Sequence, residues 1–312
     1  RAPPARGVRA PPLKCVAVLG GGLMGSGIAT ACILAGIHVL LKEINEKFMT
    51  DGLNRVKANI MSMVKKGRMT QQQGEAVLGR VKGCVDFNDF GKADMVIEAV
   101  IESIPLKQQI FEQLEQVCSP HCVLSTNTST IDINVCAAKM KQPNRIVGAH
   151  FFSPAHVMPL LEIIRTAQTP PQIVHDCLTL AKQIKKTPVV VGNCTGFAVN
   201  RVFGPYTQAA MMLLDAGMDP YAIDKVINRN FGMPMGPFRL CDLVGGDVSL
   251  KTGSMLAGAF PERSYRTAII LALNEAGRKG EATKKGFYQY DDKRKASPDP
   301  TLAGFLQQSR AA

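Results

Sequence analysis

The stretch that decides the fold is Cys15-Val-Ala-Val-Leu19-Gly20-Gly-Gly22-Leu23-Met24-Gly25. A short apolar run ends in three glycines, and an Ala- and Ile-rich segment continues from Leu23 to Gly36. That order reads as a buried parallel strand, a tight turn and a helix. Gly20, Gly22 and Gly25 fit G-x-G-x-x-G. The first glycine permits the turn, the second lets the backbone approach a pyrophosphate, and the third lets helix and strand pack closely. The helix amino terminus at Leu23 and Met24 then offers unpaired N–H groups to phosphates. His38-Val-Leu-Leu41 is the next strand, and Glu43 stands at its end. A carboxylate there hydrogen-bonds the adenosine ribose hydroxyls and repels the extra phosphate of NADP, so NAD is the expected cofactor. Lys42, beside it, works against that repulsion.

Outward from this unit the chain alternates. Helices are expected over 46–66, 70–81 and 105–118, with strands over 94–98 and near 122–125, 145–150, 160–164 and 188–191. Such alternation predicts an α/β, Rossmann-type, doubly wound and mostly parallel sheet covered on both faces. Past Gly192 the pattern turns helical, over 197–216, 221–230 and a short piece after Pro237, which predicts an all-α domain. The expected division is a basic linker over 1–14, a nucleotide-binding domain over 15–191, a helical domain over 192–290 and a further linker over 291–312.

Bulk properties exclude several classes. With 312 residues, 46% of them hydrophobic, the chain is long enough for two buried cores. Its net charge of +12 attracts polyanions, among them coenzyme A, dinucleotides, nucleic acid and acidic lipid. Arg1, Arg6, Arg9 and Lys14 contribute to that excess from the opening segment. Aromatic-rich basic strands and zinc or helix-turn-helix patterns are lacking, so nucleic acid is an unlikely partner. Nine scattered cysteines with no C-x-x-C favour reduced thiols over a disulfide framework or a metal site. No run approaches the length of a membrane span. The opening Pro, Ala, Arg and Gly residues read as an interdomain linker, and the chain as a piece of a longer one.

A second constellation carries chemistry. Arg145-Ile-Val-Gly-Ala-His150-Phe-Phe-Ser153-Pro154 runs as a strand into a turn, and Met158-Pro-Leu-Leu-Glu162-Ile-Ile leaves it as another. Adjacent strands bring imidazole and carboxylate within hydrogen-bond reach, an arrangement that fixes one tautomer and stabilises the protonated ring of a general base.

At these residues the sequence resembles the 3-hydroxyacyl-CoA dehydrogenase family, whose signature is H-F-F-N-P followed by an apolar run and a glutamate. The resemblance covers about residues 14–290. It implies His150 as base and Glu162 as its partner, with Ser129 of the Asn127-Thr-Ser129 loop holding the substrate hydroxyl. Asn200, in Thr195-Gly-Phe-Ala-Val-Asn200-Arg, completes the site in the same comparison, while Glu102, Lys107 and Asn127 are expected cofactor contacts. Ser153 departs from the family's asparagine. Dehydrogenases of small hydroxy acids share this layout but use a lysine early in the helical domain, and here none occurs before Lys225.

The closing stretch Lys285-Gly-Phe-Tyr288-Gln-Tyr290 resembles the family's tail, yet the chain continues to Ala312. With the basic opening segment, this resembles multifunctional fatty-acid β-oxidation proteins of the plant peroxisomal kind. The resemblance implies an acyl-CoA thioester substrate, an enoyl-CoA hydratase domain preceding the linker, and a second helical copy following the tail. It also implies a peroxisomal (glyoxysomal) location, with the mitochondrion as alternative. Self-association through the helical domain is a further expectation, with Phe203 and Met211-Met-Leu-Leu214 either exposed for it or filling the core.

Overall fold

In a computed structural model, which describes residues 11–311, the glycine stretch joins the first strand of an eight-stranded sheet to the first helix. The expected basic linker therefore lies, up to residue 10, outside the described residues. The chain divides into two units, one through Phe197 and one from Ala198.

The first unit contains, in chain order, β1 (Cys15–Leu19), α1 (Leu23–Leu34), β2 (His38–Lys42), α2 (Glu46–Lys65), α3 (Gln71–Leu78), β3 (Val81–Cys84), β4 (Met95–Glu98) and α4 (Ile104–Val117). It continues with β5 (Val123–Thr126), the short α5 (Ile133–Cys136), β6 (Ile146–Phe151), β7 (Leu160–Arg165), α6 (Pro171–Gln183) and β8 (Thr187–Gly192). Strand order is β3-β2-β1-β4-β5-β6-β7-β8. The order reverses between β1 and β4, and in such sheets ligands bind in the crevice outside the carboxyl ends of the strands at that point. Leu19, Glu98 and Thr126 end their strands in register along that edge.

Most pairs are parallel, but β7 runs antiparallel to β6. The connection over 152–159 is too short for a parallel crossover, which needs a dozen residues or more. A helix was expected to run to 81; instead Thr70 and Gln73 form a capping box, α3 stops at Leu78, and Val81–Cys84 joins the sheet beside β2. Val-Lys-Gly-Cys shows no period-2 alternation, so only its pairing partner makes it a strand. Two apolar layers flank the sheet, one including Val18, Ile28, Leu41 and Ile97, the other Ala17, Phe111, Leu114 and Leu124.

The second unit comprises α7 (Val199–Asp215), α8 (Pro220–Asn230), α9 (Pro237–Val244), α10 (Gly246–Ala259), α11 (Ile269–Glu275), a hairpin of β9 (Tyr288–Tyr290) with β10 (Ala296–Pro298), and α12 (Leu302–Ala311). Two buried carboxylates staple it. Asp224 accepts from the N–H groups of Phe238 and Arg239 and from the Tyr288 hydroxyl; Asp242 accepts from Phe287 N, Tyr288 N and the Tyr290 hydroxyl. The helical run divides as a helix requires: Met211 and Leu214 fill the core, while Met212 and Leu213 are exposed.

The expected linker over 291–312 is, through residue 311, a packed part of this unit. Leu302 is buried with Leu214, Ile223, Phe238 and Phe287, Asp299 meets Arg278 at 2.8 Å, and Arg310 donates to the Leu214 carbonyl. The segment reads as a linker because its apolar residues are few. Yet Leu302, Phe305 and Leu306, three and four positions apart, form one helical face that the rest of the unit covers.

Candidate active site

Gly20 turns with φ +92°, and a side chain there would collide with the Ala99 carbonyl. At Gly25 a Cβ would lie 1.7 Å from the Gly20 carbonyl oxygen, so only glycine lets α1 rise this close to β1. Gly22 differs: among the described residues, nothing stands within 4 Å of where its Cβ would be. This open space lies at the amino terminus of a buried helix, where unpaired N–H groups favour anions. Leu23 beside it is exposed and Met24 partly buried. Glu43 extends the cradle, its Oε1 accepting from Gly21 N at 2.6 Å. Lys42 turns away, its ammonium 4.4 Å from the centre of the Phe87 ring, so it does less against Glu43 than its position in sequence suggests. An open Cβ direction at a helix terminus and a carboxylate held at the end of β2 together fit a dinucleotide.

His150 and Glu162 are register partners in the antiparallel pair, and both side chains are buried. Nδ1 of His150 lies 2.7 Å from Oε2 of Glu162. A carboxylate only accepts, so Nδ1 carries the hydrogen and Nε2 is left as the basic nitrogen. Phe152 and Phe197 flank the imidazole, their ring centres 4.6 Å and 5.9 Å away. The turn after β6 lands on the glycine helix: a Cβ on Gly27 would meet that of Ala155 at 3.1 Å. The turn that follows the strand of His150 thus packs on the helix that follows the glycine turn, within one unit.

Ser129 sits in the loop after β5, where its N–H donates to Oε1 of Glu102. The same oxygen accepts from the Thr128 hydroxyl. Asn127 is a bridge, its N–H donating to the Glu98 carbonyl and its Oδ1 accepting from Phe151 N, one residue past His150. Lys107 is buried, and its amine reaches Glu98 at 2.7 and 2.8 Å and Glu102 at 3.4 Å. Asn200 lies in the first turn of α7, in the second unit. Ser153 is exposed, and His156 is half-buried, its imidazole held below the usual histidine range by desolvation and by Lys186.

Sequence reasoning missed Glu98, Thr126, Thr128 and Phe197. Glu98 left one signal, an acid closing the otherwise apolar strand Met95–Glu98 at a fully buried position. Phe197 left none: a phenylalanine at φ +49° that reaches the imidazole is a tertiary event.

Comparison with known proteins agrees with this geometry. Residues 15–194 match the family described as 3-hydroxyacyl-CoA dehydrogenase, NAD binding domain, and residues 196–290 match its C-terminal domain. The chain is 58% identical, over 98% of its length, to the peroxisomal fatty acid beta-oxidation multifunctional protein MFP2 of Arabidopsis thaliana, and spans 42% of that relative. Among solved structures, FadB2 of M. tuberculosis is 35% identical with a TM-score of 0.86, covering 90% of this chain and 100% of its own. The dehydrogenase part of multifunctional enzyme 1 from C. elegans is 32% identical with a TM-score of 0.69, over 96% of this chain and 68% of that one. The chain belongs to the 3-hydroxyacyl-CoA dehydrogenase family.

Proposed function

We propose that this chain oxidises (3S)-3-hydroxyacyl-CoA to 3-ketoacyl-CoA with NAD, as the dehydrogenase part of a peroxisomal fatty-acid β-oxidation enzyme. The observation that carries this reading is the buried contact of His150 Nδ1 with Glu162 Oε2, on a strand whose following turn packs on the glycine-turn helix. His150 Nε2 would take the proton of the 3-hydroxyl while C3 gives up its hydrogen as hydride, so that the C3–oxygen bond becomes a carbonyl. Glu162, already on Nδ1, stabilises the imidazolium that forms, and the flanking phenylalanines keep water from competing for the proton. Ser129 and Asn200 orient the substrate oxygen. NAD, when bound, would supply the hydride acceptor; Gly20, Gly22, Leu23, Met24 and Gly25 would hold its phosphates, Glu43 its adenosine ribose, and Glu102, Lys107 and Asn127 are the further cofactor contacts expected.

The relatives' names support the wider setting. The hydratase domain and a second helical copy are the partners expected in a full-length chain. Exposed Met212, Leu213 and Phe231 give the helical unit an apolar surface for the second copy or for self-association. The deciding experiment measures NADH consumption with acetoacetyl-CoA, longer 3-ketoacyl-CoA thioesters and small keto acids. Turnover of the thioesters alone is expected; turnover confined to the small acids would overturn the reading.

A further inference from the structure

Glu98 is a fully buried carboxylate at the carboxyl end of β4. Its oxygens accept from the Lys107 amine at 2.7 and 2.8 Å, from the Thr126 hydroxyl at 2.6 Å and from Val100 N at 2.8 Å. One side chain therefore ties together the ends of β4 and β5 and the first turns of α4. Buried ion pairs are poor sources of stability, because desolvation offsets the attraction and apolar residues of like volume fill the space as well. What this pair adds is fixed geometry, and the geometry leads to the site by two routes.

The first route is through the backbone. The Glu98 carbonyl accepts from Asn127 N at 2.7 Å, and Asn127 Oδ1 accepts from Phe151 N at 2.8 Å, adjacent to His150. The second is through charge. Lys107, held by Glu98, approaches Oε2 of Glu102 at 3.4 Å, while Oε1 of Glu102 accepts from Ser129 N and the Thr128 hydroxyl. The first route ends on Phe151, next to His150 in the chain, and the second on the Thr128–Ser129 loop.

We infer that Glu98 is a positioning residue for hydride transfer, acting through Lys107 and Thr126 to hold the Asn127–Ser129 loop against the strand of His150. The inference rests on the proposed 3-hydroxyacyl-CoA reaction. Nothing in the role requires Glu98 to touch substrate or cofactor.

The test compares the whole chain with its Glu98→Gln and Thr126→Val variants. Glu98→Gln keeps the shape and removes the charge. Thr126→Val removes one hydrogen bond and no charge, and so serves if the first variant folds poorly. NADH binding is titrated by fluorescence, so that kcat is expressed per binding site. For Glu98→Gln, kcat with acetoacetyl-CoA is expected to fall roughly 10²-fold, the cost of slight misplacement of reacting groups. KM should change far less, and the deuterium isotope effect with 4-deuterated NADH should rise as transfer becomes the slow step. Thr126→Val is expected to lose about tenfold in kcat, in keeping with one hydrogen bond, while its melting temperature stays near that of the parent. A loss of kcat that tracks only the loss of binding sites, with the isotope effect unmoved, would overturn the positioning role. So would parental kcat and isotope effect in Thr126→Val if Glu98→Gln does not fold. Parental turnover with normal variants removes the role alone, whereas a parent inactive on every 3-ketoacyl-CoA removes the reaction and the role with it.

Discussion

His150 and Glu162 stand directly opposite each other across the antiparallel seam of a largely parallel sheet, with Nδ1 and Oε2 2.7 Å apart. The pairing commits the imidazole to one tautomer before substrate arrives. Replacing His150 by Ala is expected to lower kcat by a factor of roughly 10² to 10⁴, the usual loss of a general base. Glu162→Gln should sit at the lower end, about 10², because the ring stays hydrogen-bonded but its protonated form loses a counter-charge. NADH titration should show both variants binding cofactor; near-parental turnover in His150→Ala would remove it from the mechanism.

Gly22 and Gly25 belong to one motif but meet different constraints. Gly25→Ala drives a Cβ to 1.7 Å from the Gly20 carbonyl oxygen, and the expected outcome is a loss of stability of about 3 kcal/mol or more. Gly22→Ala meets nothing within 4 Å at an ordinary φ of −65°, so stability should change by no more than about 0.5 kcal/mol. Its NADH affinity should still fall by about tenfold, near 1.4 kcal/mol, because the methyl group occupies the phosphate approach. Urea unfolding alongside NADH titration separates the two effects.

Cofactor choice is expected to follow Glu43 rather than Lys42. Glu43 is held just past the end of β2 by Gly21 N, whereas the Lys42 ammonium lies over Phe87. Glu43→Ala is expected to narrow the NAD-to-NADP ratio of kcat/KM by about tenfold, near 1.4 kcal/mol of discrimination. Lys42→Ala should leave that ratio nearly unchanged; a large shift in Lys42→Ala would show that the cation reaches the ribose.

The carboxyl-terminal segment is a structural part of the helical unit. Leu302 is buried among Leu214, Ile223 and Phe287, so Leu302→Ala is expected to cost about 2–5 kcal/mol, the range for emptying a core site. Denaturant unfolding of the whole chain measures this, and a cost near zero would return the segment to the status of a linker.

Much of the fold was legible in the residues. The glycine motif between an apolar strand and a helix, the acid at Glu43 and the alternation through β8 are local patterns whose period or spacing has a direct backbone meaning. The edge strand Val81–Cys84 was not legible, because its residues carry no pattern and its pairing with β2 comes from outside the segment. Leu302–Ala311 read as a tail, because a sparse apolar face declares itself only when a core is there to receive it.

The candidate site divides the same way. The sequence alone nominates the candidates: His150 and Glu162 by their place on neighbouring strands, and the Asn127–Ser129 loop by resemblance. Only the tertiary structure decided what holds them. The Glu98–Lys107 pair, the Asn127 bridge to Phe151 and the Phe197 ring beside His150 join segments far apart in the chain. Strand and helix signals are written in near neighbours along the backbone, whereas a buried charge finds its partner only when the sheet closes.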